Sequence, residues 1–284
     1  DVYHCDVAID MDMKPSQALR QGGKTSSMWQ AIDAVNTGIA DGAVSAGNTG
    51  ALMAMSKVIL KTLNGIERPA IAAIWPTMKG ETIVLDMGAT IGGSAEQYFQ
   101  FAVMGDAYAR IIFGLESPRI SLLNIGVEEM KGTDSVKQAA DLLASSSLNF
   151  GGYIEGNGIS QGDVDVVVTD GFTGNVALKT AEGIAQLISS YLKQVMVSSI
   201  FARIGYIFAR GAFGALKERL DPDNVNGGTF LGLNGVVVKS HGGASPKGIA
   251  AAVELAIEVA ANNMSDKIAD EMDKMEEELL ATQE

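Results

Sequence analysis

Residues 40–56, ADGAVSAGNTGALMAMS, decide how the rest of the chain reads. A short apolar run, Ala43–Ala46, meets a polar turn carrying Gly47 and Gly50 and passes at once into residues that favour helix. The same switch recurs at residues 165–183, DVVVTDGFTGNVALKTAEG. Working outward from these two stretches, strand patterns fall at Val7–Asp10, Ala43–Ala46, Ala70–Trp75, Thr82–Met87, Ile120–Ile125, Phe150–Ile154, Val164–Thr169 and Val236–Lys239. Helical periods lie between them, at Ser26–Thr37, Gly50–Leu63, Glu96–Phe113, Asp134–Ser145, Val176–Leu192 and Ile249–Asn262. Several strand runs are apolar on both sides, as expected of parallel strands covered by helices on both faces. Strand, glycine turn and helix in repetition imply right-handed βαβ units and an open, doubly wound α/β sheet.

In such sheets ligands bind beyond the carboxyl ends of the strands. Four turns fall at predicted strand ends: Ser45–Gly50, Asp86–Thr90, Asn124–Gly126 and Asp170–Asn175. One mouth can collect all four. A helix that starts directly after a tight turn aims unpaired N–H groups and a positive dipole end at that turn. Ser45, Gly47, Asn48, Thr49 and Gly50, with Asp170, Gly171, Thr173, Gly174 and Asn175, therefore read either as a phosphate cradle or as ordinary N-capped βα turns. Lys131, just past another strand end, is the cation best placed by sequence to answer a phosphate. His241, in VVVKSHGGASPKG, reads as a structural hydrogen-bonder or as a proton carrier at the sheet mouth.

Composition bounds the alternatives. The chain has 284 residues, 47% of them hydrophobic and 19% charged, which suits one large or two small globular domains. A net charge of −13 argues against nucleic acid as a partner, so an anionic ligand needs a local positive site. Cys5 is the one cysteine, so no intrachain disulfide forms. Two histidines, His4 and His241, are too few for a histidine metal cluster, and no metal or other cofactor is expected. The chain has no P-loop, no dinucleotide fingerprint, no GxSxG elbow and no HExxH. It begins DVYHCDVAID, which reads as a start partway into an element and implies a preceding segment. The acidic run from Ser265 to Glu284 reads as a solvated helix or a frayed tail.

Residues 183–217 reverse the overall charge: they contain no Asp or Glu but carry Lys193, Arg203, Arg210 and Lys217. On one helix Arg203, Arg210 and Lys217 share an edge beside an apolar face of Val197, Ile200, Phe201, Ile204 and Phe208. Gly205, Gly211 and Gly214 point instead to two helices with a break. The arginines interrupt the run too often for a bilayer span. It fits an amphipathic basic helix on an anionic lipid surface, a dimer contact, or a plain core helix.

Together SAGNTGALMA, LDMGA, LLNIGVEEMKG, NFGGYIEG, DVVVTDGFTGNVALKTAEG and GLNGVVVKSHGGA resemble the bacterial phosphate acyltransferase (PlsX) family, in order from about residue 7 to residue 260. MDMKPSQALRQGGKTSSM adds to the resemblance. The turn after LDMGA reads TIGGSAEQ here, where members often carry Asn and a proline-containing turn. The resemblance implies a Rossmann-like three-layer α/β/α fold with a mostly parallel sheet, related to isocitrate and isopropylmalate dehydrogenases. It further implies one acyltransferase domain over residues 1–284, with a projecting amphipathic helical pair over residues 190–220. A cytoplasmic homodimer attached peripherally to the inner face of the membrane is the expected setting. The implied reaction moves a fatty acyl group from acyl carrier protein to inorganic phosphate, with Lys131 and Asn175 implicated in activity. On that reading the two glycine turns and Lys131 hold phosphate, Asn175 meets the oxyanion and His241 handles a proton. Rival expectations are a phosphotransacetylase-like protein using acyl-CoA, and a non-catalytic membrane scaffold.

Overall fold

The computed structural model describes residues 1–219, 223 and 226–281. Eight short strands make one sheet: β1 (Gly42–Ser45), β2 (Ala70–Pro76), β3 (Glu81–Leu85), β4 (Ile120–Leu123), β5 (Phe150–Ile154), β6 (Val166–Val168), β7 (Gly228–Leu231) and β8 (Val236–Lys239). Their order across the sheet is β1-β8-β7-β2-β3-β6-β4-β5. The central strands β3, β6 and β8 bury both faces, because successive side chains point to opposite sides. Ile83 and Leu85, Val166 and Val168, and Val236 and Val238 enter one core, while Val84, Val167 and Val237 enter the other.

The helices are α1 (Pro15–Gln17), α2 (Ser27–Asn36), α3 (Thr49–Ile59), α4 (Ala95–Phe113), α5 (Asp134–Ala144), α6 (Gly171–Val197), α7 (Ile200–Arg219), α8 (Pro246–Ala261) and α9 (Met264–Ala281). Helices α4, α5, α8 and α9 supply the first core. Helices α2 and α3, with Ala177, Leu178 and Ala181 of α6, supply the second. Helices therefore cover both faces of the sheet.

The sheet is mixed, which corrects the expectation of a mostly parallel one. The pairs β1–β8, β3–β6, β4–β6 and β4–β5 are parallel, whereas β2–β3, β2–β7 and β7–β8 are antiparallel. The cause is local. Residues 77–80 and 232–235 are loops too short for a crossover, so each joins a hairpin. In the second loop Gly232 (φ +84°) and Gly235 (φ +150°) take backbone angles that disfavour a side chain. Strand β7 was not among the predicted strands, and the predicted strand at Val7–Asp10 reduces to one bridge between Val7 and Ser26.

Two further elements depart from expectation. Far from being a frayed tail, α9 packs Met264, Ile268, Met272 and Met275 into the core beside α4. Beyond Gly183, α6 leaves the body: Ile184, Leu187, Ile188, Tyr191 and Val195 are exposed. The break between α6 and α7 falls at Ser198–Ser199, where the axes bend by 119°. Gly205, Gly211 and Gly214 lie inside α7, each facing open space. Val197 ends α6 rather than joining the α7 face, and Arg203 Nε donates to its carbonyl across the corner at 3.2 Å. On α7, Ile200, Phe201, Ile204 and Phe208 are exposed together, with Arg203 and Arg210 along one edge. The Lys217 side chain and residue 220 lie outside what is described. Among the described residues no single helix is long and apolar enough to cross a membrane.

Ile268 is 1% exposed. Replacing it by Ala is expected to cost about 2–5 kcal/mol in urea unfolding, as for a core aliphatic. A loss under about 0.5 kcal/mol, typical of a surface site, contradicts the placement of α9.

Candidate functional site

Strand β3 ends in Asp86, whose carboxylate is fully buried. Its Oδ1 accepts from the amides of Ile71 (3.0 Å), Gly88 (3.1 Å) and Ala89 (2.9 Å). Its Oδ2 accepts from the amides of Ala89 (3.1 Å) and Thr90 (2.8 Å) and from the Thr90 hydroxyl (2.8 Å). Desolvation pushes this carboxyl up from its usual range, and the donors pull it back. Without that ring of donors a buried charge here would be prohibitive.

The Thr90 hydroxyl also accepts from the Gly171 amide (3.1 Å), so the β3 turn grips the start of α6. The two backbones touch. A Cβ on Gly174 would lie 2.0 Å from the Asp86 carbonyl oxygen, and one on Gly171 would lie 2.6 Å from Thr90 backbone atoms. These glycines admit a neighbouring turn. The α6 amides are likewise engaged: Asp170 Oδ1 accepts from Phe172 (3.0 Å) and Thr173 (3.2 Å), and Gly174 donates to the Asp170 carbonyl. The Thr173 hydroxyl donates to Asp170 Oδ2 (2.6 Å). Asn175 differs. Its side-chain amide makes no hydrogen bond among the described residues, and its Nδ2 faces Gly88, 3.2 Å from where a Cβ would stand.

Strand β4 lies next to β6 and runs parallel to it, so the Asn124–Lys131 turn emerges beside the Asp170–Asn175 turn. Asn124 Nδ2 donates to the Lys131 carbonyl (3.1 Å), folding the turn back. Lys131 is exposed, and its ammonium has no hydrogen bond or ion pair among the described residues. Lys131, Asn175 and Asp86 thus share one edge of the sheet.

The Ser45–Gly50 turn does not join them along that edge. Strands β1 and β8 run with β2, opposite to β3, β6 and β4, so one carboxyl-end mouth cannot collect all four turns. The β1 turn meets the His241 turn instead: Ser240 donates to the Ser45 carbonyl (2.9 Å), and a Cβ on Gly242 would lie 3.5 Å from the Ala46 carbonyl. His241 is exposed, and its Nδ1 accepts from the Gly243 amide (3.1 Å), so the neutral ring can only donate, from Nε2. Ser45 Oγ accepts from Gly47 (3.2 Å). Asn48 caps α3 through Oδ1 and gives Nδ2 to the carbonyls of Asp10, Met11 and Met13.

Thr49 and Gly50 reach the β3 turn by another route. Helix α3 lies along the sheet, and one side of it, from Thr49 to Val58, faces Gly88 and Ala89 across a cavity of about 360 Å³. The Thr49 and Gly50 amides and the Thr49 hydroxyl meet no acceptor among the described residues. Both helix starts carry their own cap, but the first two amides of α3 meet no acceptor among the described residues.

A family model described as "Fatty acid synthesis protein" matches residues 1–267. The chain belongs to that family. Among curated members of this fatty acid synthesis family, a phosphate acyltransferase of Rhizobium etli is 58% identical over 277 residues, covering 96% of this chain and 80% of the relative. One of Parvibaculum lavamentivorans is 56% identical, covering 97% and 77%. Two solved structures share the fold: EutD phosphotransacetylase from Staphylococcus aureus (TM-score 0.54, 19% identity, 88% of this chain and 71% of that one) and a phosphotransacetylase from Streptococcus pyogenes (0.55, 18%, 82% and 67%).

The sequence puts the Asp86–Thr90 turn at the expected ligand mouth but assigns no role to the Asp86 carboxylate, the Thr90 hydroxyl or the α3 face. LDMGA carried the signal: an acidic residue closing an apolar strand before a glycine turn is a carboxylate with amides in reach. Gly174→Ala is expected to lower stability by roughly 1–3 kcal/mol or more, because backbone cannot yield as a side chain can. Asp86→Asn is expected to cost about 1.5–3 kcal/mol, since one amide oxygen cannot serve the donors of two carboxylate oxygens. Chemical denaturation reads both; an unchanged midpoint for either contradicts the arrangement.

Proposed function

We propose that this protein transfers a fatty acyl group from acyl carrier protein to inorganic phosphate, releasing acyl phosphate. Acyl transfer to phosphate follows from family membership, so phosphate and an acyl donor are its substrates. The carrier, the lipid surface, the second subunit and kinship to the isocitrate dehydrogenase fold are our finer reading.

What supports the residue assignment is that Lys131 Nζ and Asn175 Nδ2, each without a hydrogen-bond partner among the described residues, follow the neighbouring parallel strands β4 and β6. In a chain of net charge −13 such a cluster is where a small anion can be held. Phosphate, as the monoprotonated dianion, forms a new O–C bond at the thioester carbonyl. The C–S bond breaks, and the proton phosphate carried goes to the departing thiolate. Lys131 and the Thr49–Gly50 amides hold the phosphate, and Asn175 Nδ2 meets the oxyanion. Holding the two reactants in line supplies up to ~7–11 kcal/mol. The proton in this scheme travels from phosphate to sulfur, so His241, which sits with the β1 turn, is assigned no proton transfer. Ser45, Gly47, Asn48, Asp170, Gly171, Thr173 and Gly174 act through the turns they shape.

Membrane attachment is supported by the exposed α7 face and its arginine edge, which suit an anionic bilayer on the cytoplasmic side. A homodimer is supported by exposed apolar side chains around the site, among them Ile125, Val127, Met130 and Phe172.

Thioester loss from acyl carrier protein that depends on added phosphate tests the reaction; equal loss without phosphate sinks it. Asn175→Ala is expected to lower kcat about 100-fold or more, and Lys131→Ala to raise KM for phosphate. Donors on CoA and on carrier protein, matched in chain length, separate this reading from a phosphotransacetylase-like one. The double variant Ile204→Asp, Phe208→Asp is expected to leave anionic vesicles while still turning over a soluble donor. Unchanged vesicle binding refutes the attachment proposal.

A further inference from the structure

The turn TIGGSAEQ, residues 90–97, has no part in the acyl-transfer scheme, yet Thr90, which opens it, and Tyr98, which follows it, both reach the start of α6. The Thr90 hydroxyl accepts from the Gly171 amide (3.1 Å). At the other end the chain enters α4 through a Ser94–Gln97 capping box, and Tyr98 comes next. Tyr98 is 5% exposed, and its hydroxyl donates to the Asp170 carboxylate. The ring has little freedom to leave that position. Gly93 lies against it, where a Cβ would stand 3.1 Å from Cε2 and 3.4 Å from Cζ. Burial, with the Asp170 carboxylate second, pushes the phenol up to about 12, so it stays protonated and keeps donating.

The two contacts fall on consecutive residues, 170 and 171. Asp170 is the N-cap of α6, and its carboxylate already accepts from the Phe172 and Thr173 amides and the Thr173 hydroxyl. A carboxylate held from outside the helix as well cannot swing, and the amides it binds are fixed with it. Within the same turn of helix Gly174 admits the Asp86 carbonyl, and Asn175 Nδ2 faces Gly88. We propose that Tyr98 is a positioning residue for acyl transfer: through Asp170 it sets the first turn of α6, and with it the direction of Asn175 Nδ2. This rests on the oxyanion role given to Asn175 above and adds what holds that donor in line. A donor displaced by a fraction of an ångström no longer meets the charge that develops in the transition state.

The test is a double-mutant cycle on the purified full chain, read with hexadecanoyl-acyl carrier protein at saturating phosphate. Tyr98→Phe keeps the buried ring and removes the hydroxyl. Its kcat is expected to fall roughly tenfold, with KM for phosphate within about twofold of the wild type. In an Asn175→Ala background the same substitution is expected to change kcat by less than about twofold, because the group it positions is gone. An equal loss in both backgrounds overturns the proposal, since Tyr98 then works through some other group. So does an unchanged kcat in Tyr98→Phe, even where the thermal midpoint drops. Gly93→Ala crowds the ring with the hydroxyl in place and is expected to lower kcat in the same Asn175-dependent way, which keeps the test open if Tyr98→Phe does not fold. Failure of the underlying reading looks different: Asn175→Ala then leaves kcat unaltered. In that case amide exchange at residues 171–175 decides. Faster exchange in Tyr98→Phe than in the wild type upholds the hold on α6, and equal exchange overturns it.

Discussion

A single buried carboxylate holds the site together. Asp86 sits where β2, β3 and β6 meet, and its two oxygens are shared among the Ile71 amide, the Gly88–Thr90 turn and the Thr90 hydroxyl. Thr90 passes that order on to Gly171 and so to the first turn of α6. Asn175, one residue after Gly174, lies against Gly88. A charge withdrawn from water this completely tolerates little freedom in its partners, since each lost donor leaves a desolvated oxygen. The turn is rigid for that reason, and the cavity wall it forms is defined.

The layering was legible in the sequence because it depends on a local property, apolar side chains alternating between two cores along β2, β3, β6 and β8. Strand direction was not. It depends on whether a connection returns by hairpin or by crossover, and GTFL before GLNG gave β7 only four residues as a signal. With β7 unseen, β8 had no neighbour to reverse against. Likewise the Ser265–Glu284 run was judged by its acids, although every third or fourth residue of its first half is a buried Met or Ile. Period outweighed charge there.

At the site, several residues read as a phosphate cradle or as ordinary caps have their side chains engaged within the protein. Asn48 carries the N–H donors an anion needs, yet it has already spent its polar groups on the α3 cap and on the carbonyls of residues 10–13, and the Asp170 carboxylate is spent as the α6 cap. Sequence alone cannot tell a cap from a ligand, because both need the same atoms after the same kind of turn. Thr49 and Gly50, one position further along, escape that competition. Gly171 and Gly174, which fit a phosphate cradle or an ordinary turn equally well, give room to the backbone of Asp86 and Thr90.

The 27 residues of α6 form a rod about 40 Å long with its first turn fixed on the Asp86–Thr90 turn and its last turn at the corner with α7. Whatever surface meets that corner is thereby held at a stand-off comparable to the thickness of a lipid bilayer. On the proposed reading, product formed at the inner end has to cross that gap before it reaches anything docked at the outer one.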